Sequence, residues 1–571
     1  MYINHPDKTI EKKVNFFYDY YIFAVSQMGK NSDFEIDNFQ SLIEKIIFQL
    51  EFNFGNCTPY ILSYLTHPIL NYENKYFKEL KSYPEISDLL NELKIVLHEK
   101  SGNKRTLANE VCKKLKKQLT YIKKYMFKNA LQSIISYLAC EHDLDEHKND
   151  IKHYTKVIAV DLYFQKKGKA DIKGIFEKIL SRNIEVFPFP DYLIKNNHGN
   201  KEALKSYLDN KSFREQFEAI LTYLKKPAKK NYFIFRIGNI ICDDNLLFKY
   251  DEVTICTRNE SKIIKAIKSY NKKRETDDIN FFESNFDLFA IVSQNINHER
   301  EDVKIAIEKA YNYLDHINKT CQTSGFIDRN SYLFTEDFVN FGYNISWSGT
   351  KNRLNNYSKI SLMDTNPNEL LGRKSIKSKR HFLSCENTYI KAKTTNSMDE
   401  YWRYIENLIQ KPVKGKFVKF VEDNLVDTQI TLVENYLENL LSLGRYNGKR
   451  MTLTFEKQKQ LVIRMQSKNF DYNEILLHTQ DEFIKDLIAY KETLASKNIE
   501  NYILRILNDL YAQRNSIQHS NTIHEKTKLK LEQTVPVMFL CLRSKLLSNM
   551  ILNPNREFND IIEIATGEKK V

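Results

Sequence analysis

Apolar positions recur every three or four residues over much of the chain, the spacing of one helix face. It is plain in FEIDNFQSLIEKIIFQLEF (34–52), ISDLLNELKIVLHEK (86–100) and NALQSIISYLACEHDL (129–144), which predicts a helical N-terminal region over residues 1–150. VNFFYDYYIFAV (14–25) is apolar but short and carries Asp19, so it predicts a core helix and not a signal peptide or a membrane span. Over 151–395 the pattern becomes mixed α/β. TKVIAVDLYF (155–164) predicts a strand, ADIKGIFEKILSRN (170–183) a helix, and 231–257 a hairpin or meander after a Lys-Lys-Pro-Ala-Lys-Lys loop at 225–230. Another strand is expected at 286–296, a helix at 303–320 and strand-like chain at 331–347. From 396 to the end at 571 the helical spacing returns in MDEYWRYIENLI (398–409), TQITLVENYLENLLSL (428–443), KQKQLVIRMQ (457–466), DEFIKDLIAYKETLA (481–495) and the stretch 500–513. A last long run at 525–550 contains Pro536, which should kink or split it. The fold class this predicts is α+β, predominantly α-helical, ending in a bundle of five or six helices.

Composition narrows the picture a little. The chain has 571 residues, too many for one core, and only 15 glycines and 11 prolines, which suits long regular elements. A net charge of +13 suits a polyanionic partner, although a lysine-rich composition alone would supply it. The eight cysteines form no Cys-x-x-Cys pair, so reduced thiols in a cytoplasmic protein are expected, without a zinc site. His142, His147 and His153 are spaced five and six apart, off one helix face, and are expected at the surface. The basic run Lys113–Lys128 predicts a solvated helix face. Asp243-Asp244 could suggest a two-metal site, but the further carboxylate such a site needs is not evident, and CDDN is ordinary turn chemistry. There is no phosphate-binding Gly-rich loop, dinucleotide fingerprint, His-Glu-x-x-His or Gly-x-Ser-x-Gly, so nucleotide hydrolysis, dehydrogenation, zinc proteolysis and serine hydrolysis have no support.

The stretch with most chemistry is DLYAQRNSIQHSN (509–521). Ile503, Ile506, Leu507, Leu510 and Tyr511 lead into it at i, i+3, i+4, i+7, i+8 spacing, and Ser520 and Asn521 favour a helix end. A buried helix would thus deliver Arg514 and His519 to its tip, with Asn515 beside the arginine. Histidine moves protons near neutral pH, and arginine stabilises charge that grows on a phosphate. The rival reading is a helix C-terminus where both side chains merely cap carbonyls and favour the dipole. The region 351–381 offers a second candidate: Arg373, Lys374, Lys377, Lys379 and Arg380 near Trp347, Tyr357 and Phe382. Such a mixture suits a track for single-stranded RNA, or equally a solvated loop.

The segment Arg514-Asn515-Ser516-Ile517-Gln518-His519 resembles the motif of HEPN superfamily ribonucleases: arginine, a polar residue, then histidine. The leucine/tyrosine helix before it and the small polar residues after it match bacterial members linked to phage defence. The resemblance covers roughly the last third of the chain. It implies a HEPN-like bundle over 396–571 and a homodimer with a composite site. It also implies metal-independent RNA cleavage through the 2′-hydroxyl, leaving a 2′,3′-cyclic phosphate, with no cofactor. His519 would move the proton, Arg514 would stabilise the phosphorane, and Asn515 would orient the histidine or bind phosphate. Abortive infection would be the setting. Residues 151–395 would sense a phage-derived or nucleotide trigger, or select substrate. The other class of function in view is a non-catalytic RNA-binding or scaffolding protein.

Overall fold

The computed structural model describes residues 7–52, 61–62, 65, 76–99, 103–165, 169–181, 183–184, 187–190, 192–193, 200–225, 229–240, 247–273, 281–282, 288–296, 299–321, 323–336, 338, 340–345, 374–395, 397–409, 413–442, 450–467, 470–520 and 522–568. They are predominantly helical with one antiparallel sheet, an α+β fold. In chain order the N-terminal helices are α1 (Lys8–Gln27), α2 (Phe39–Phe52), α3 (Phe77–Ser82), α4 (Pro84–His98), α5 (Lys104–Ala139) and α6 (Leu144–Phe164). After α7 (Lys169–Leu180), α8 (Lys201–Asp209) and α9 (Phe213–Lys225) come the strands β1 (Lys229–Gly238), β2 (Leu247–Tyr250) and β3 (Val253–Thr257). Then follow α10 (Ser261–Lys273), β4 (Leu288–Ile296), α11 (Glu299–Cys321), β5 (Phe326–Glu336) and β6 (Asn340–Ile345). The C-terminal helices are α12 (Ile376–Thr395), α13 (Met398–Leu408), α14 (Val413–Ser442), α15 (Phe455–Met465), α16 (Asn473–Leu476), α17 (Glu482–Ala495), α18 (Glu500–Ser520), α19 (Glu525–Leu552) and α20 (Phe558–Ala565).

These elements form two compact units. One holds residues 1–164, 212–217 and 365–571, the other 165–211 and 218–364. The two ends of the chain therefore share a unit, which the sequence boundaries at 150 and 395 did not anticipate. The joining surface is apolar and aromatic. Phe23 of α1 meets Tyr436 of α14 at 5.0 Å and Phe483 of α17 at 6.1 Å between ring centroids. Burying each such ring contributes about 1.5–3 kcal/mol. Arg450 adds a buried pair to Asp19 of α1 at 2.8 Å and another to Asp481 at 2.9 Å. Helix α1 is buried nearly all round, so its apolar run belongs to a core helix, as its length and Asp19 suggested.

Residues 155–164 are helical, not a strand. The β-branched run Val157, Ile158 and Val160 favours a strand locally, but Ile151, Thr155, Ile158, Ala159 and Leu162 are all buried at helical spacing on one face of α6. Packing against α1 and α5 outweighs the local preference. Nor does Pro536 split the last long run: α19 is one 28-residue helix through it. Only one intrahelical donor is lost there, and buried neighbours Val535, Met538 and Phe539 hold the turn in the core. Among the described residues α19 alone is long and apolar enough to cross a membrane, and its inner face, with Leu531, Val535, Met538, Phe539, Leu542 and Leu546, lies in the bundle core. The seven lysines of the basic run in α5 are exposed.

In the second unit the strand order is β2-β3-β4-β1-β5-β6, every neighbour antiparallel. Alternation along β1 sends Phe233, Phe235 and Ile237 to a core with α11, and Ile234 to a core with α10. The expected hairpin in 231–257 is β2–β3, turning at Asp251 with φ 52°, while β1 pairs with β4 and β5 instead. Asp243 and Asp244 lie outside the described residues.

Candidate active site

Helix α18 carries the motif, and its first three turns explain its position. Tyr502, Ile503, Ile506, Leu507 and Leu510 enter the core formed with α12, α13, α14, α19 and α20. Tyr511, the last member of the predicted stripe, is instead 39% exposed; it leans on Trp402 at 5.0 Å and carries the Lys414 ammonium over its ring. Burial lowers the pKa of that lysine. From Asp509 onward the inward face turns polar, with Asp509, Gln513 and Ser516 at 2% exposure or less. The helix ends at Ser520, where Ser520 and Asn521 were expected to end it; Asn521 lies outside the described residues.

Arg514 sits at this end with its side chain 22% exposed. Its Nη1 is 3.4 Å from Asn515 Oδ1, so the two motif residues touch. Two carboxylates of α13 flank the guanidinium: Asp399 lies 3.7 Å from Nε and Glu406 3.9 Å from Nη2. Both distances are ion-pair contacts rather than hydrogen bonds, and Nε is buried with no hydrogen-bond partner among the described residues. Asp399 also binds Arg403 at 2.8 Å and accepts from Gln518 at 3.0 Å, while Glu406 accepts from the Trp402 indole at 2.8 Å. His519 is in the last turn of α18, and its side chain lies outside the described residues. On a regular helix position 519 falls on the same face as Asn515, four residues back, and about 140° round from Arg514.

Under the motif lies a buried charge cluster. Asp509 Oδ2 receives Lys45 at 3.1 Å and Lys530 at 2.9 Å. Lys530 also reaches Glu35 at 2.6 Å and Asp37 at 3.4 Å, Lys45 reaches Asp37 at 3.3 Å, and Arg505 reaches Glu35 at 3.1 Å. Burial alone would pull both lysines toward neutrality. Asp37 and Asp509 beside Lys45, and Asp509 and Glu35 beside Lys530, outweigh it and hold each pKa above the ordinary lysine value. Three carboxylates thus balance three cations across α2, α18, α19 and the segment before α2. Its one sequence signal was an aspartate inside an apolar stripe at 509. The pairing of Arg514 with Asp399 and Glu406 had none.

The next helix begins with His524 as N-cap, its Nδ1 accepting from Thr527 N at 3.2 Å. Burial, helped by Lys45, pushes its pKa down to about 4, so it is a neutral structural histidine. One amide of this helix start, Thr527 N, is therefore capped within the chain.

The predicted RNA track fares unevenly. Lys374 must be withdrawn from it: its side chain is buried, and Nζ donates to the carbonyls of Arg556 at 2.6 Å and Pro554 at 3.4 Å. Desolvation lowers its pKa, opposed by Glu557. Phe382 is also no stacking platform, being buried against Phe558. Lys377 and Arg380 are exposed on the first turns of α12 and Lys379 is half-buried there, so this part is helix and not loop. Arg373, Trp347 and Tyr357 lie outside the described residues. No family model, curated protein or solved structure matches the chain.

Proposed function

We propose that the chain is a metal-independent endoribonuclease of the HEPN type, with Arg514, Asn515 and His519 as its catalytic residues and RNA as its substrate. The observation that carries this reading is the state of Arg514. Its helix is anchored in the core, yet its guanidinium has long ion pairs and a buried Nε with no hydrogen-bond partner among the described residues. A cation held but not saturated is what a phosphate in transition needs. In the reaction the 2′-oxygen attacks phosphorus and its proton passes to a base; the 5′-oxygen leaves and takes a proton. His519 serves one of these transfers, and Arg514 stabilises the charge on the non-bridging oxygens. A homodimer would bring two such helix ends into one cleft. Lys377, Lys379 and Arg380 remain candidates for holding the RNA backbone. The setting would be the cytoplasm during abortive phage infection, with a phage-derived or nucleotide trigger.

A second reading, a non-catalytic RNA-binding or scaffolding protein, draws on the two carboxylates beside Arg514, which oppose an incoming phosphate. Single substitutions separate the two. In a nuclease, His519→Ala abolishes cleavage with RNA affinity and fold retained. In a binder, charge reversal at Lys377 and Arg380 weakens RNA binding, and His519→Ala changes nothing.

A further inference from the structure

The first unit holds a cavity of about 430 Å³ away from the motif end of α18. Ala24 of α1, Met28 just after it, Phe34, Tyr76, and Val157 and Val160 of α6 give it an apolar wall. Its polar side includes Asp33, Glu35, Asp37 and Glu79, with Lys156, Arg505 and His153. The volume is that of a small-molecule pocket.

Three of its four carboxylates are committed to protein cations. Asp33 pairs with Lys497, Glu35 with Lys530 and Arg505, and Asp37 with Lys45 and Lys530. Glu79 differs. Its Oε1 is 2.9 Å from His153 Nε2, while Oε2 is buried with no hydrogen-bond partner among the described residues. Glu79 is 8% exposed and lines the cavity. A buried carboxylate oxygen without a donor is costly and calls for one. Lys45, Lys497, Lys530 and Arg505 answer the other three carboxylates, so Glu79 is the wall carboxylate with no lysine or arginine pair among the described residues, which disfavours an anion beside it. Among the described residues no three His, Cys, Asp or Glu side chains converge to hold a metal ion, which disfavours a bare divalent cation.

We infer that this cavity binds a small organic cation: a primary ammonium seated on Glu79 Oε2, attached to an apolar body lying among Met28, Phe34, Tyr76 and Val157. The ammonium supplies the missing donor, and the body fills the apolar half. The site stands independently of the nuclease reading, since neither Arg514 nor Asn515 lines it.

The test uses the full chain and two probes with one ring system and opposite charge, tryptamine and indole-3-propionate, followed by calorimetry and thermal shift. The expected result is saturable binding of tryptamine with raised Tm, and none of indole-3-propionate at the same millimolar concentration. Glu79→Gln keeps the shape and weakens tryptamine about tenfold or more. Because the charge-matched comparison is made on the unaltered protein, a variant that fails to fold does not remove the test. Three outcomes overturn the inference: neither probe binds, the cavity then taking water only; both bind equally; or a folded Glu79→Gln binds tryptamine as before.

Discussion

Replacing Asp509 by asparagine isolates the buried cluster that joins the two ends of the chain. Its carboxylate is fully buried and receives Lys45 and Lys530 on one oxygen. The amide keeps the volume and can still accept one ammonium, but it leaves three cations against two carboxylates. Removing one partner of a buried pair costs about 3–5 kcal/mol, and the retained acceptor places Asp509→Asn near the low end, about 3 kcal/mol. That is a large share of a typical domain's stability of about 5–15 kcal/mol. Adding Lys45→Met restores neutrality, so the double variant should be more stable than the sum of the single losses by about 1 kcal/mol or more. Urea unfolding at pH 7 reads this through tryptophan fluorescence in a Trp347→Phe background. The remaining Trp402 packs on Tyr511 of α18, so the signal comes from the helix under test. A midpoint shift at constant slope is the expected form. A loss below about 1 kcal/mol for Asp509→Asn, or strict additivity with Lys45→Met, would refute the reasoning.

Three further outcomes follow from the geometry. Glu406→Gln removes one of the carboxylates facing Arg514; the pair is long and half exposed, so RNA affinity should rise only about two- to fivefold in filter binding, and an unchanged affinity would detach Arg514 from the phosphate. Stability against pH should carry two opposing slopes. His524 is held down at about 4, so the unfolded chain takes its proton first and stability falls as pH drops from about 6.5 to 4. Asp161, buried and accepting from Asn38, is pushed up to about 7 by desolvation against Lys526 and Asn38. The unfolded chain loses that proton first, so stability falls as pH rises from about 4 to 7. His524→Asn should therefore expose the falling slope and Asp161→Asn the rising one, each on the order of 3 kcal/mol, in denaturant midpoints measured from pH 4 to 8; parallel curves for the two variants would contradict both assignments. Lys374→Met should cost more stability than Lys377→Met while affecting RNA binding less, because the Lys374 ammonium holds two carbonyls; equal effects on both readouts would restore Lys374 to the RNA track.

What periodicity could reveal was the existence of helices, because amphipathic spacing is a local property. The apolar face of α18 up to Leu510, the core role of α1 and the strands at β1 and β4 were legible for that reason. Residues 155–164 misled because a short apolar run fits a strand and a buried helix equally, and only packing against α1 and α5 decides. The shared unit of the two chain ends was invisible, since contacts such as Lys45 with Asp509 join residues 464 apart. The same holds at the candidate site. Arg514 and Asn515 could be picked out by residue type and spacing, but their carboxylate neighbours come from another helix. Lys374 looked like its basic neighbours until its carbonyl partners from the far end of the chain were seen.

The central claim is tested most directly by the chemistry of the cut. Purified protein is incubated with total RNA in excess EDTA, beside Arg514→Ala and His519→Ala, and the new ends are mapped. Cleavage should persist without divalent metal, leave 2′,3′-cyclic phosphate and 5′-hydroxyl ends, and be lost in both variants. RNA left intact by a folded, RNA-binding protein, or cutting that survives His519→Ala, would contradict the claim.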